Sequence, residues 1–482
     1  MDGQPEDAPP SEDPAQRPAV MAASDAAARR YEQRGWRWYD WANSVFPASI
    51  VTVFLSLYIT SIAVSAAEAD TARNGADPCP GGDTLRSCDV SLLGVEFPAG
   101  SLWGYLLAVA TVVQVVVLPI TGAIADRTQN KRRMLGVFAF GGALFTALLA
   151  LVAGDAWQLG ALLFVLANMC YGASVVVYYA FLPEIATPDE RDGVSAGAWA
   201  FGYLGSGFAL LLQVAVFLTH EQLGLTEGDA VRVCFLLSGL WWAVFTLIPL
   251  SRLRRHQAPH GTEQGASVVS AGFRELFSTL RQAMTFPLTL GFLGAYLVYT
   301  DGISTVASVS AQYGKFELDL PQEVLITTIL LVQFVAFGGG LLHGMAARRL
   351  GAKRTIMASL VVWITLIAAA FFVQAGQPLQ FYALAAGIGL VLGGTNALSR
   401  SLFSQMIPLG REAQYFSLYE IGERSTSWLG PLVFAGVGQV TGSFRPAIIS
   451  LVVFFVVGFV LVAMVPVRRA IAAAGNPEPA VV

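Results

Sequence analysis

The chain has 482 residues, 55% hydrophobic and 13% charged, with a mean hydropathy of +0.59 and a formal net charge of -4. Soluble domains carry about 25% charged residues, so a water-coated globule is excluded, and four cysteines cannot staple a chain this long. The 29 basic and 33 acidic residues build no global basic field, which excludes nucleic acid as a partner.

A hydrocarbon core about 30 Å thick needs roughly 20 apolar residues of helix. Runs of that length lie at Trp38 to Ile62, Ser101 to Ile124, Met134 to Ala153, Trp157 to Leu182, Val194 to Leu218 and Val231 to Leu250. Six more follow at Phe286 to Ser310, Val324 to Met345, Thr355 to Val373, Leu379 to Leu402, Tyr415 to Val440 and Ala447 to Val465. The runs are unbroken, unlike the alternating segments of about ten residues in a β-barrel. They predict an all-α integral membrane protein of about twelve transmembrane helices, with the lipid bilayer as its solvent.

Taken in chain order, residues 1–34 are rich in Pro, Ala, Asp and Glu and read as a disordered tail. They lack the charged start, short apolar core and small-residue cleavage site of a signal peptide. The first span opens GWRWYDWANS, which puts Asp40 and Asn43 one helical turn apart beside tryptophans suited to a membrane interface. Asp40 is either a gating or coupling carboxylate or a helix-start acid at the headgroups. The first outer loop holds Cys79 and Cys88, nine residues apart, which could close a small disulfide loop in an oxidising compartment or remain two free thiols.

After the second span, Gly122 to Arg133 reads GAIADRTQNKRR. Asp126 could sit at a neighbouring helix N-terminus, whose partial positive charge favours an anion. Arg127, Lys131 and Arg132 could anchor to headgroups, and such contacts would make Gly122 to Arg132 an inner gate; the alternative is a topological charge cluster. A polar stretch, Ser251 to Thr285, then divides the spans six and six. It separates a bundle at 35–250 from a second at 286–466, with a linker at 251–285 and a tail at 467–482. A basic loop also follows the second span of the second half, ARRLGAKR from Ala347, as expected of a duplicated transporter.

Ions inside hydrocarbon are costly and mark cavities or partners. In the seventh span Asp301 precedes Gly302, where local unwinding could free backbone for a ligand. In the eleventh, Glu420 and Arg424 are four apart on one helical face with Glu423 beside them. Two acids and one cation leave that helix net negative, so an exchangeable proton or a cationic group could balance it. Asp301, Glu420, Glu423, Arg424, Asp40 and Asn43 are therefore the candidate substrate or proton ligands, each with a purely structural alternative. Arg400, at the inner end of the tenth span, reads as a snorkelling or cytoplasmic charge. Glycine clusters in spans five, eight and ten are explained by close helix packing.

Threading the spans with the N-terminus inside places 23 of the 29 basic residues on one face, which predicts both termini in the cytoplasm. No GxxxxGK[ST] phosphate loop is present, so an ATP-driven pump is disfavoured. His256 and His260 flank Pro259 without acidic or thiol neighbours, and neither a metal nor another cofactor is expected. No hydrolytic Ser, His and Asp arrangement stands out, so an enzyme is not expected.

Asp126-Arg127 with its basic run resembles the loop signature of the major facilitator superfamily. WYDWANS (Trp38 to Ser44), LPEIATPDER (Leu182 to Arg191), YTDG (Tyr299 to Gly302), LLVQFVAFGG (Leu330 to Gly339), GGTNALSRSLF (Gly393 to Phe403), PLGREAQYFSLYE (Pro408 to Glu420) and TSWLGPLVF (Thr426 to Phe434) resemble its vacuole-effluxer branch, relatives of an autophagy-related vacuolar amino-acid exporter. The resemblance spans Trp36 to Pro466 and implies the superfamily fold and alternating access by rocking halves. Two departures stand out: Arg348 replaces the acid of the second-half loop signature, and Arg424 stands where relatives often carry Lys. The expectation is a monomeric secondary transporter in a bacterial cytoplasmic membrane, exporting a small polar solute such as an amino acid, coupled to protons. The alternative is a non-transporting receptor or scaffold that kept the fold.

Overall fold

The computed structural model describes residues 17–75, 79, 88–92, 94–127, 130–254 and 281–481. The expected linker therefore lies mostly outside the described residues, as does the start of the expected N-terminal tail. The tail's later part is helix rather than disorder: the first helix begins at Arg17, and Glu32 and Gln33 are buried. Gln33 Nε2 donates to the Ile185 carbonyl at 2.9 Å, so this extension packs on the bundle.

The first span runs Arg17–Asn43, continues as a π-helix over Phe46–Phe54 and returns to α-helix over Leu55–Ala69. Pro47 explains the widened turn, since it has no N–H and its ring clashes with the preceding turn. Spans two to six are Leu102–Arg127, Lys131–Leu148, Trp157–Ala180, Pro188–Leu218 and Glu227–Arg252. The loop before the second span forms a hairpin, Asp89–Leu92 with Val95–Pro98, and Cys79 is joined to Cys88 with their Cα atoms 4.6 Å apart.

Spans seven to ten are Pro287–Phe316, Gln322–Leu350, Ala352–Ala370 and Pro378–Gln405. The eleventh is not one helix but two, Glu412–Thr426 and Leu429–Thr441. Pro431 offers no N–H to the Ser427 carbonyl, and the Gly430 N–H goes to the Asp301 carboxylate instead of back along the helix. The twelfth span is Phe444–Ser450 with Val452–Met464. Ten of the described helices are long and apolar enough to cross a membrane by length and composition. The seventh and eleventh spans fall outside that set, the one polar around Asp301 and the other divided.

The helix partners of the first half recur six spans later: two with four and eight with ten, three with six and nine with twelve, one with five and seven with eleven. The halves meet where span five packs on spans eight and ten, and where span eleven packs on spans two and four. Val137, Leu162, Val244 and Leu432 are exposed on the outside, the surface a lipid-embedded bundle presents. The last residues are not a free tail: Val467–Ala473 is helical, and the buried Asn476 side chain donates to the carbonyls of Gln405 and Ile407 at 2.8 and 2.7 Å.

Candidate functional site

Between the halves lies a cavity of about 520 Å³. Asp40, Asn43, Ser44 and Pro47 line it from the first span, a spacing that puts them on one helical face. The second half contributes Gln333, Asn396 and Glu423. Tyr171, Tyr179, Trp199 and Tyr203 add aromatic wall from spans four and five.

The cavity is closed toward the face that carries the basic loops. There Arg400, fully buried, reaches from the tenth span into the first half. Its Nη1 lies 3.4 Å from Asp40 Oδ2, its Nε donates to Ser195 Oγ at 2.9 Å and its Nη2 to the Ser195 carbonyl at 3.1 Å. The guanidinium lies 4.9 Å from the Trp36 ring centre and 4.7 Å from that of Tyr179. A planar cation that stacks and forks its donors suits this cage, as an ammonium would not. The expectation of a snorkelling Arg400 is thus overturned: its head points into protein, not water, because its partners are 205 and 360 residues away in the sequence.

Other contacts across the halves surround it. Ser195 Oγ donates to the Ala397 carbonyl at 2.6 Å, Ser401 Oγ to Asp192 Oδ1 at 2.6 Å, and Arg191 Nη1 to the Ser404 carbonyl at 2.9 Å. On the opposite side of the interface Asp126 accepts the backbone N–H groups of Ala413 and Gln414, each at 2.9 Å. These are among the orphan donors of a helix start, so Asp126 caps the eleventh span across the two halves. Gly122 permits the approach, since a Cβ there would lie 2.6 Å from the Ala413 carbonyl oxygen. Lys131 Nζ sits 3.8 Å from Asp126 and 2.5 Å from Glu184. Arg132 donates to the Leu253 carbonyl at 3.3 Å, and the Arg127 side chain lies outside what is described. Lys131 is buried rather than anchored at headgroups, because two carboxylates hold it.

The candidate ligands separate. Asp40, Asn43 and Glu423 meet at the cavity, and Tyr296 donates to Glu423 Oε2 at 2.6 Å. Glu420 and Arg424 pair with each other beside the lining rather than in it. Asp301 does not line the cavity, contrary to its expected role. It is buried between spans seven and eleven, and its Oδ2 accepts the Gly430 N–H at 2.8 Å at the start of the second half-helix. Depth in a hydrophobic run is visible in a sequence, but the side of the helix that meets the cavity is not. Among the described residues no group of three metal-ligating side chains occurs.

Residues 28–475 match a family model described as vacuole effluxer Atg22 like. An uncharacterized MFS-type transporter of Bacillus subtilis (strain 168), YxiO, is 28% identical over 439 residues that cover 90% of this chain and 95% of that protein. Autophagy-related protein 22-1 of Penicillium rubens is 25% identical over 539 residues, covering 91% of this chain and 90% of its own. Among solved structures, the human organic anion transporter MFSD10 (TETRAN) matches with a TM-score of 0.64 at 15% identity, over 90% of this chain and 99% of that one. The proton:xylose symporter XylE matches with a TM-score of 0.62 at 11% identity, over 92% and 96%. At such identities these structures bear on the fold alone, and the fold is that of the major facilitator transporters.

Proposed function

The chain belongs to the vacuole effluxer Atg22-like family and is a multi-pass membrane transporter, and from that premise we propose that it exports a small polar solute, such as an amino acid, by alternating access. The observation that supports this reading most is the cavity between the halves, polar at Asp40, Asn43, Gln333, Asn396 and Glu423 and sealed on one face only by contacts that cross the interface. Contacts between halves can break when the halves rock, whereas contacts within a half cannot serve as a gate. The basic loops that hold Lys131 and Arg348 lie at the sealed face, so that face is assigned to the cytoplasm of a bacterial cell, and the cavity is taken to be open outward.

Export against a gradient needs a coupled ion, and Glu423 is the proposed proton carrier. It lines the cavity and accepts the hydroxyl of Tyr296, a neutral donor, so a proton or a solute can occupy it in turn. Purified protein in proteoliposomes tests this. A proton gradient is expected to drive flux of a labelled solute, and the same gradient should drive none through a Glu423→Gln variant that still inserts. Equal proton-driven flux in both would overturn the coupling, and no flux of any solute across a broad panel would overturn the transport cycle.

A further inference from the structure

Arg37 and Arg348 meet over one turn of span five at the sealed face. A Cβ on Gly193 would lie 3.4 Å from Arg348 Nε and Nη2, and a Cβ on Gly197 would lie 3.0 Å from Arg37 Cζ. Arg37 Nη2 also reaches the Gly193 carbonyl, at 3.5 Å. Arg37 belongs to the first half and Arg348 to the second, so two like charges flank the interface over a floor of glycine.

No acid offsets them. Among the described residues neither guanidinium has a carboxylate within ion-pair distance, and the cations Arg348 and Arg34 both act on Arg37. The acids that open span five are engaged elsewhere: Asp189 accepts the Ala480 N–H at 2.6 Å, Glu190 accepts Gln33 Nε2 at 3.1 Å, and Asp192 accepts Ser401 Oγ at 2.6 Å. Like charges drawn together oppose the contact that seals this face. The helices are nonetheless close, since a Cβ on Gly344 of span eight would lie 2.9 Å from Ala196 Cβ of span five.

The place opens toward lipid. Gly193 and Gly197 share a helical face with the exposed Phe208 and Leu211, and the exposed Arg348 shares one with the exposed Leu341 and Met345. Each face is apolar along its length and cationic at its inner end. A guanidinium forks onto phosphate oxygens, and the apolar face beside Arg348 suits an acyl chain, which a water-soluble anion lacks. With the acids of span five engaged, none of them is free to take the ammonium of a zwitterionic headgroup. We propose that Arg37 and Arg348 hold the phosphate of an anionic phospholipid of the inner leaflet, which bridges the two halves and offsets their repulsion, favouring the sealed face. The site needs only the sealed arrangement and the membrane orientation, and it is independent of the solute and its coupling.

Intact-protein mass spectrometry of the purified full chain, titrated in detergent with dioleoyl phosphatidylglycerol or dioleoyl phosphatidylcholine, reads the first bound lipid. Phosphatidylglycerol is expected to bind about fivefold or more tightly than phosphatidylcholine, at about the strength one Arg near a surface contributes. Arg37→Gln and Arg348→Gln should each lose about that factor. Arg348→Lys should keep the preference, as should Arg469→Gln, which removes an exposed charge of the last helix. An excess of sn-glycerol 3-phosphate should displace no lipid; displacement would make the ligand a soluble phosphate and overturn the lipid site. Equal binding of the two lipids, or a loss as large in Arg469→Gln as in Arg348→Gln, would also overturn it.

Thermal melts separate a bridge from mere attachment. In phosphatidylcholine Arg348→Gln should melt no lower than the parent, because a like charge has been removed from the interface. Phosphatidylglycerol should raise the melting temperature of the parent and not that of the variant. An equal rise in both would overturn the bridge. Neither measurement involves solute, so a failure here leaves the transport cycle standing, and a failure of solute flux leaves the lipid site standing.

Discussion

Arg400 Nη1 in the second half lies 3.4 Å from Asp40 Oδ2 in the first, across an interface that has to open for any solute to pass. The pair is buried, so its worth cannot be that of a surface ion pair. Two desolvated charges roughly offset their own burial cost, whereas removal of one partner leaves the other uncompensated. The pair therefore acts as a condition on closure, satisfied only when both halves meet and Ser195, Trp36 and Tyr179 complete the cage.

Arg400→Met leaves the Asp40 carboxylate buried without its cation and is expected to destabilise the sealed form by about 3–5 kcal/mol. In Arg400→Met/Asp40→Asn the loss should fall well short of the sum of the two single losses. Thermal melts of the purified single and double variants check this. Arg400→Lys should behave as a loss rather than a conservative change, because an ammonium cannot fork to Ser195 and stack on Trp36 at once.

Asp126→Ala removes the acceptor of two backbone N–H groups, those of Ala413 and Gln414. A lost cap costs about 0.5–2 kcal/mol, and here the whole cost falls on the sealed arrangement because the cap crosses the halves. Labelling of an Asn396→Cys probe from the basic face should become faster by about twofold or more at that energy. An unchanged labelling rate would remove Asp126 from the gate.

Asp301→Asn is expected to leave solute affinity unchanged while lowering thermal stability, since Asp301 holds the Gly430 N–H and lies away from the cavity lining. Glu423→Gln should do the reverse and alter affinity first. A titration and a melt on each variant decide the matter, and a loss of affinity confined to Asp301→Asn would restore it as a ligand.

Gly339→Ala places a Cβ 2.1 Å from the Leu390 carbonyl oxygen, where rigid backbone must move. A loss of about 1–3 kcal/mol is expected from such overpacking, read as a lower melting temperature with spans eight and ten forced apart.

The twelve spans were legible because hydrocarbon requires long apolar runs, and the basic loops were legible because charge marks one face. Asp126 at a helix N-terminus was foreseeable from the chemistry of its loop, although nothing local named the eleventh span as the helix. Arg400 was misread since its surroundings come from Trp36, Tyr178, Tyr179 and Ser195, and only the fold collects them. The doublet Tyr178 and Tyr179 inside an apolar run was the available signal, as buried tyrosines near a buried cation suggest a cage. Asp301 and Glu423 look equally deep in sequence. The break at Pro431 and the turn of each helix decide that one lines the cavity and the other holds a half-helix.

Alternating access is tested most directly by joining the sealed face. Ser401 Oγ donates to Asp192 Oδ1 at 2.6 Å across the halves, so cysteines at both positions, in a background with Cys170 and Cys234 replaced, are placed to cross-link. Oxidation with copper phenanthroline should abolish solute flux in proteoliposomes, and a reductant should restore it. Undiminished flux through fully cross-linked protein would contradict the account, because a face that never opens cannot belong to the cycle.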